Sequence, residues 1–285
     1  MEILFADSLF TSLPDSLKNV MAYPPGKPIE ETEREHGISG AIKLASNENA
    51  FGPSPKAIDA IKNSLEKIHL YPDGGYYYLK KKLSQKHQLP VKNFIIGNGT
   101  NEIIDMLIRT FVWNDESVAM AMPSFIVYKL VTLATNRRPL IVPLENHCYN
   151  LDLLASAIEN DGNCKMVFIA NPNNPTGSYI PVDQLERFLE RTKNKLLVVL
   201  DEAYLEYVQA DDYQSAEMFF SKYPNLIVLR TFSKVYGLAG IRIGYGIAHE
   251  KVCHFIDKVR QPFNTTSIGP IAAIAALDDH LHIRK

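Results

Sequence analysis

Cysteine is scarce: three in 285 residues, at Cys148, Cys164 and Cys253, with no CxxC pair. That spacing excludes a disulfide framework and a thiolate zinc site, so no metal is expected, and it suits reduced thiols in a cytoplasmic protein. Charge of one sign is not in excess either. Lys and Arg number 30 against 32 Asp and Glu, a formal net charge of -2. Such a balance gives no basic field for nucleic acid or an acidic membrane. No apolar run approaches the roughly 20 residues a membrane-crossing helix needs. The N-terminus carries Glu2 and Asp7 and lacks a basic segment leading into a long apolar core, so no signal peptide is expected. Internal repeats and low-complexity tracts are also missing. What is present is a globular composition, 46% hydrophobic and 22% charged, in a chain long enough for one large domain and part of another.

Residues before about Leu44 read as an arm rich in Pro, Gly and charge, and Ser54 to Leu70 as a first helix. From Phe94 to Ala248, apolar runs alternate with amphipathic stretches. Strands are predicted at 94–97, 117–121, 138–142, 165–170, 196–200, 226–230 and 241–248, and a helix with a good N-cap over 183–193. This alternation predicts an α/β fold with a mainly parallel seven-stranded sheet between helices. Near the end, Thr266 or Ser267 can cap a helix whose apolar stripe is Ile271, Ile274, Ala275, Leu277 and Leu281.

Four segments carry chemistry. Thr231-Phe232-Ser233-Lys234 runs on to Gly237 and Arg242, placing a lysine among hydroxyls with an arginine eight positions on. A lysine nucleophile needs a preorganised setting, and a phosphate beside it needs hydroxyl donors and a guanidinium fork. Together they describe a seat for pyridoxal 5'-phosphate; alone, the segment also reads as a Ser/Thr-rich turn with an exposed lysine. Asp201 and Tyr204 follow the buried run Leu196–Leu200. A carboxylate at such a strand end can pair with a protonated pyridine nitrogen, although a lone Asp there can equally cap a helix. Asn171-Pro172-Asn173-Asn174-Pro175-Thr176-Gly177 is a fixed turn with amide donors at a strand end. Gly97-Asn98-Gly99-Thr100-Asn101 opens the amphipathic stretch Ile103 to Phe111 and can turn backbone N–H groups to an anion, or form an ordinary helix cap.

Taken together, these segments make the chain resemble the fold-type I, aspartate-aminotransferase-like enzymes that use pyridoxal phosphate. Among them it is most similar to the histidinol-phosphate aminotransferases. The nearer match rests on Tyr23-Pro24-Pro25-Gly26-Lys27-Pro28, Leu44-Ala45-Ser46-Asn47-Glu48-Asn49, Tyr71-Pro72-Asp73-Gly74 and Val259-Arg260-Gln261-Pro262-Phe263-Asn264. The resemblance implies an arm over 1–43, a cofactor-binding large domain over 44–262 and the start of a small domain over 263–285.

It also implies residue roles. Lys234 binds the cofactor aldehyde and moves the proton. Asp201 pairs with the ring nitrogen, and Tyr204 and Asn174 meet the phenolic oxygen. Thr231, Ser233 and Arg242 hold the phosphate with the Gly99-Thr100-Asn101 loop, where many relatives carry Asp instead of Asn101. Phe125 stacks on the ring, Tyr71 reaches the phosphate of a partner subunit in a homodimer, and Tyr23 and Asn47 lie near the substrate. The implied reaction is transamination of L-histidinol phosphate with 2-oxoglutarate, giving glutamate. Aromatic aminotransferases and threonine-phosphate decarboxylase share much of the pattern. A silent fragment that keeps only fold and association is the reading of another class. Relatives continue for several dozen residues, including a substrate-binding arginine unmatched here, so weakened or absent turnover is expected of this chain alone.

Overall fold

Long runs of Val, Ile, Leu and Met, too apolar to face water on either side, become the strands of one seven-stranded sheet. A computed structural model describes residues 11–18 and 20–284. The strands are β1 Phe94–Gly97, β2 Ser117–Met122, β3 Arg138–Pro143, β4 Cys164–Ala170, β5 Leu197–Asp201, β6 Leu226–Thr231 and β7 Gly244–Ile247, in the order β1-β7-β6-β5-β4-β2-β3. Strands β2 and β3, β2 and β4, and β4 and β5 pair in parallel, whereas β1 and β7 are antiparallel. Val198 N–H donates to Asn225 O (2.9 Å) and Glu202 N–H to Leu229 O (3.0 Å), so β5 and β6 also step forward together. The inner strand β6 is buried throughout, as a strand covered on both faces must be. β3, at one edge, is mostly exposed and begins and ends next to prolines that an inner strand would not tolerate.

The chain divides into two compact units, each assembled from separate stretches. One gathers Ile104–Asp201 and Ala210–Val228 with the described residues before Tyr23; the other gathers Tyr23–Ile103, Glu202–Gln209 and Leu229–Lys285. In the first, β2 to β5 carry the helices α6 Val127–Ala134, α7 Leu151–Asp161 and α8 Val182–Thr192. In the second, β1 and β7 accompany α3 Pro55–Lys62, α4 Tyr77–His87, α9 Glu250–Val259 and α10 Ile268–Leu277. The remaining helices are α1 Asp15–Lys18, α2 Ile29–His36, α5 Gly99–Phe111 and α11 His280–Ile283.

Several boundaries differ from the sequence reading, each for a local reason. Within the arm, Ile29–His36 forms a helix that ends at a left-handed Gly37. The first helix stops at Lys62 and a 3₁₀ turn follows at Leu65–Lys67; Ser54 caps it by accepting from Ala57 N–H (3.4 Å). Asp183 does not cap α8. Pro181 precedes that helix, and Asp183 lies in the first turn with its carboxylate on Arg187 (2.7 Å). The strand expected over 241–248 begins only at Gly244, because Ala239–Ile241 is a 3₁₀ turn and Arg242 takes a left-handed backbone (φ 58°).

The last long helix, α10, packs by its small residues. Its buried face is Gly269, Ala272, Ala273, Ala276 and Leu277, while Ile271 is partly exposed and Leu281 is 77% exposed beyond the helix end. Small residues let α10 approach α3 closely, and that close approach outweighs the greater hydrophobicity of the isoleucine stripe. The C-terminal end of α10 is pinned there: Ser54 Oγ donates to Asp279 Oδ2 (2.6 Å), Lys56 Nζ to Asp278 O (2.9 Å), and Lys82 pairs with the Asp278 carboxylate.

Candidate functional site

The four segments end up on two scaffolds, and each is described within its own unit. In the unit holding β4 and β5, Asp201 is the last residue of β5, opposite Ala170 at the end of β4, and is buried. Its carboxylate is held from the side: the Tyr128 hydroxyl donates to Asp201 Oδ2 at 2.9 Å. Phe125 lies edge-on to Tyr128, with centroids 5.4 Å apart and planes at 83°.

After β4 the asparagines divide their work. Asn171 Oδ1 accepts from Ile180 N–H (2.9 Å), and Asn173 uses its amide on Thr176 Oγ1 (2.7 Å) and Pro123 O (3.2 Å) while accepting from Ser124 Oγ (2.8 Å). Both therefore build the loop. Asn174 is the half-buried asparagine that follows it. Tyr149 completes the network by accepting from Ala170 N–H (3.1 Å) and meeting Ser124 Oγ (3.0 Å), and burial pushes its hydroxyl up to about 12.

In the other unit, Lys234 Nζ donates to the carbonyls of Ser46 (2.9 Å) and Asn47 (3.2 Å) and stands 5.6 Å from the centre of the Tyr204 ring. Those carbonyls come from two consecutive left-handed residues, Ser46 (φ 69°) and Asn47 (φ 51°). Such backbone costs free energy in non-glycine residues and gathers at binding sites. Asn47 Nδ2 also donates to the Tyr204 hydroxyl (3.0 Å), and Asn49 Nδ2 to Val235 O (2.9 Å), so the 46–49 segment is tied both to Tyr204 and to the lysine loop.

A candidate anion seat lies in the same unit. Thr231 Oγ1 accepts from Ser233 N–H (3.0 Å) at the end of β6. Gly99 (φ 71°) starts α5, and a methyl group added there would overlap Arg242 Nη2 and lie 3.1 Å from Cζ. A methyl on Gly244 would sit 2.9 Å from Thr100 N and 3.2 Å from Arg230 O. The two glycines therefore let the guanidinium, the first N–H groups of a 13-residue helix and the end of β6 converge. Among the described residues no carboxylate pairs with Arg242, whose Nη1 donates only to Ala239 O (3.1 Å). Asn101, one residue further along α5, is exposed.

Behind this seat Arg230 and Glu202 form a buried ion pair (2.9 Å), joining the residue before Thr231 to the residue after Asp201. Glu102 fixes the loop from below by accepting from Asn98 N–H and from Asn264 Nδ2, both at 2.6 Å. Within this unit the residues present fit a phosphate joined to an aldehyde: a guanidinium, helix N–H groups and hydroxyls for the anion, and a held lysine for the aldehyde.

Two of the predicted residues stand apart from these clusters. Tyr71 is 82% exposed and stacks on Phe263 at 4.7 Å, beside a cleft of about 370 Å³ lined by Ile68, Leu70 and Ile268. Tyr23 is 60% exposed. The sequence reading gave no role to Tyr128, Ser46, Glu102 or Glu202. Only Glu102 had a local signal, as a carboxylate in the first turn of a helix, where it favours the N–H end.

Residues 39–285 match the family model of class I and II aminotransferases. A histidinol-phosphate aminotransferase of Anaeromyxobacter sp. (strain Fw109-5) is 46% identical over 274 residues, covering 96% of this chain and 75% of that protein. One from Carboxydothermus hydrogenoformans is 44% identical over 271 residues, covering 95% and 74%. The crystal structure of histidinol-phosphate aminotransferase from Sinorhizobium meliloti in complex with pyridoxal 5'-phosphate superposes with a TM-score of 0.87 at 31% identity, over 98% of this chain and 74% of that one. The chain thus spans about three-quarters of the length of these relatives.

Proposed function

Because the chain belongs to the class I and II aminotransferases, we propose that it carries out pyridoxal-phosphate-dependent transamination of L-histidinol phosphate with 2-oxoglutarate, a step of histidine biosynthesis. The observation that carries the reading is the convergence of Arg242, the α5 N-terminus and the Lys234 loop in one unit. The identity of the relatives favours histidinol phosphate over aromatic amino acids or threonine phosphate.

When bound, the cofactor supplies an electron sink for charge developing at the substrate carbon. The residues do the rest. Arg242, Thr231, Ser233 and the Gly99-Thr100-Asn101 backbone hold the phosphate. Lys234 Nζ would hold the aldehyde carbon and, once the substrate's amine had taken its place there, would be free to act as general base then acid for the proton at the substrate carbon. Asp201 would keep a proton on the ring nitrogen, Tyr204 and Asn174 would donate to the phenolic oxygen, and Phe125 would cover the ring. Asn47, bonded to the Tyr204 hydroxyl, and Tyr23 border the substrate.

A homodimer and a cytoplasmic location complete the proposal. Support for a partner comes from large apolar side chains left bare in one unit: Ile42 is 85% exposed, Leu44 86%, Phe51 73% and Tyr71 82%. No helix among the described residues is long and apolar enough to cross a membrane. The test is an absorbance spectrum with added pyridoxal phosphate, before and after histidinol phosphate. A visible band of lysine-bound cofactor, lost in Lys234→Ala and shifted by histidinol phosphate, is expected. No band would overturn the cofactor assignment; a band that shifts only with other amino acids would overturn the substrate.

A further inference from the structure

We propose that Tyr128 is a positioning residue that sets both the carboxylate and the aromatic face presented to the cofactor ring. This rests on the reading of Asp201 as partner of the ring nitrogen. Tyr128 begins the second residue of α6 and is completely buried. Its ring lies flat on Phe168, 4.8 Å away with planes 9° apart, and meets Phe125 edge-on. Phe168 belongs to β4, next to the strand that ends in Asp201. The ring is therefore clamped between a strand residue and Phe125. A clamped ring delivers its hydroxyl to one place, 2.9 Å from Asp201 Oδ2.

Two consequences follow for Asp201. A donor on Oδ2 fixes the plane of the carboxylate, so the group needs no reorientation when a ring nitrogen arrives. A hydrogen bond from a neutral hydroxyl also stabilises the ionised carboxylate more than the acid. Tyr128 thus holds the shared proton on the ring nitrogen instead of on Asp201. The same side chain buttresses Phe125, so the nitrogen contact and the stacking contact move together. A buried tyrosine that merely filled space would need its hydroxyl satisfied by any acceptor; this one ends on the single carboxylate to which the ring chemistry is assigned.

The experiment compares the wild-type chain, Tyr128→Phe and Asp201→Asn, each loaded with cofactor carrying ¹⁵N in the ring, and reads the nitrogen chemical shift and the cofactor dissociation constant. Circular dichroism checks that each variant is folded. In Tyr128→Phe, which keeps the ring and its packing, the nitrogen signal moves toward the unprotonated position, and the dissociation constant rises about tenfold, the loss of one hydrogen bond to a charged group. A signal that moves in Asp201→Asn and stays at the wild-type position in Tyr128→Phe would overturn this proposal alone. A signal unmoved in Asp201→Asn would overturn the reading of Asp201 and this proposal with it.

Discussion

Gly99→Ala tests whether the anion seat depends on a missing side chain. The new methyl would overlap Arg242 Nη2, the far end of a flexible side chain, and would sit at a φ of 71°. The backbone penalty is about 1–2 kcal/mol for an L-residue in the left-handed region. The guanidinium can swing away, so the protein should still fold, but Arg242 would then no longer reach the phosphate. Losing a charge-assisted hydrogen bond costs about 1.5–3 kcal/mol, roughly ten- to a hundredfold in affinity. The assay titrates cofactor-free protein with pyridoxal phosphate and, in parallel, with pyridoxal, which has no phosphate. Gly99→Ala should weaken the first by that factor and leave the second within about twofold. If the damage passes through Arg242, it should largely vanish in an Arg242→Ala background, where the two losses cannot add. Equal weakening for both ligands, or full additivity with Arg242→Ala, would refute the reasoning.

Other substitutions probe the frame. Glu202→Gln removes the buried carboxylate that pairs with the Arg230 guanidinium, and a loss of about 3–5 kcal/mol is expected in chemical denaturation; a loss under about 1 kcal/mol would show that the pair is not structural. Gly237→Ala places a methyl on the Gly52 carbonyl, 2.6 Å from its carbon and 2.8 Å from Pro53 N, at a φ of 67°. Backbone cannot yield as a side chain does, so the variant should lose several kcal/mol or fail to accumulate, whereas wild-type thermal stability would contradict the approach seen between these loops.

Burial pushes the Asp161 carboxyl up, but Arg138 (2.6 Å) and Ser117 Oγ (2.6 Å) more than offset it, and its pKa lies below the ordinary value. Its contribution to stability is therefore complete above the usual carboxylate range and lost as pH falls through its lower, folded-state value. Asp161→Asn should lower the melting temperature at pH 7 and flatten its decline in acid; an unchanged acid limb would remove Asp161 from that role.

How much of this was legible in the sequence depends on the range of the interaction. Strands covered on both faces leave continuous apolar runs, so β1 to β6 appeared within a residue or so of their ends. The lysine, its hydroxyls and the arginine eight positions on are one local segment, and they were legible too. The left-handed turn at Arg242 was not, because Arg242 and Gly244 lie against Gly99 and Thr100, which come from a distant segment. Tyr128 was invisible for a similar reason: its partner lies 73 residues away, and a tyrosine early in an apolar helix reads as core. In α10 the large residues drew attention and the alanines did the packing, because hydrophobic patterning reports solubility and not how near two helices can come.

The interleaving of the two units has a consequence for the order in which the protein is made. The chain crosses between them at Ile103/Ile104, Asp201/Glu202, Gln209/Ala210 and Val228/Leu229. On a ribosome, every residue of the unit bearing Asp201 has been synthesised by Val228, while the unit bearing Lys234 still lacks β7, α9 and α10. Folding during synthesis proceeds from the N-terminal side, so the carboxylate's scaffold can form before the lysine has left the exit tunnel. Neither unit is one continuous stretch of gene, and neither can be cut out as a single uninterrupted fragment.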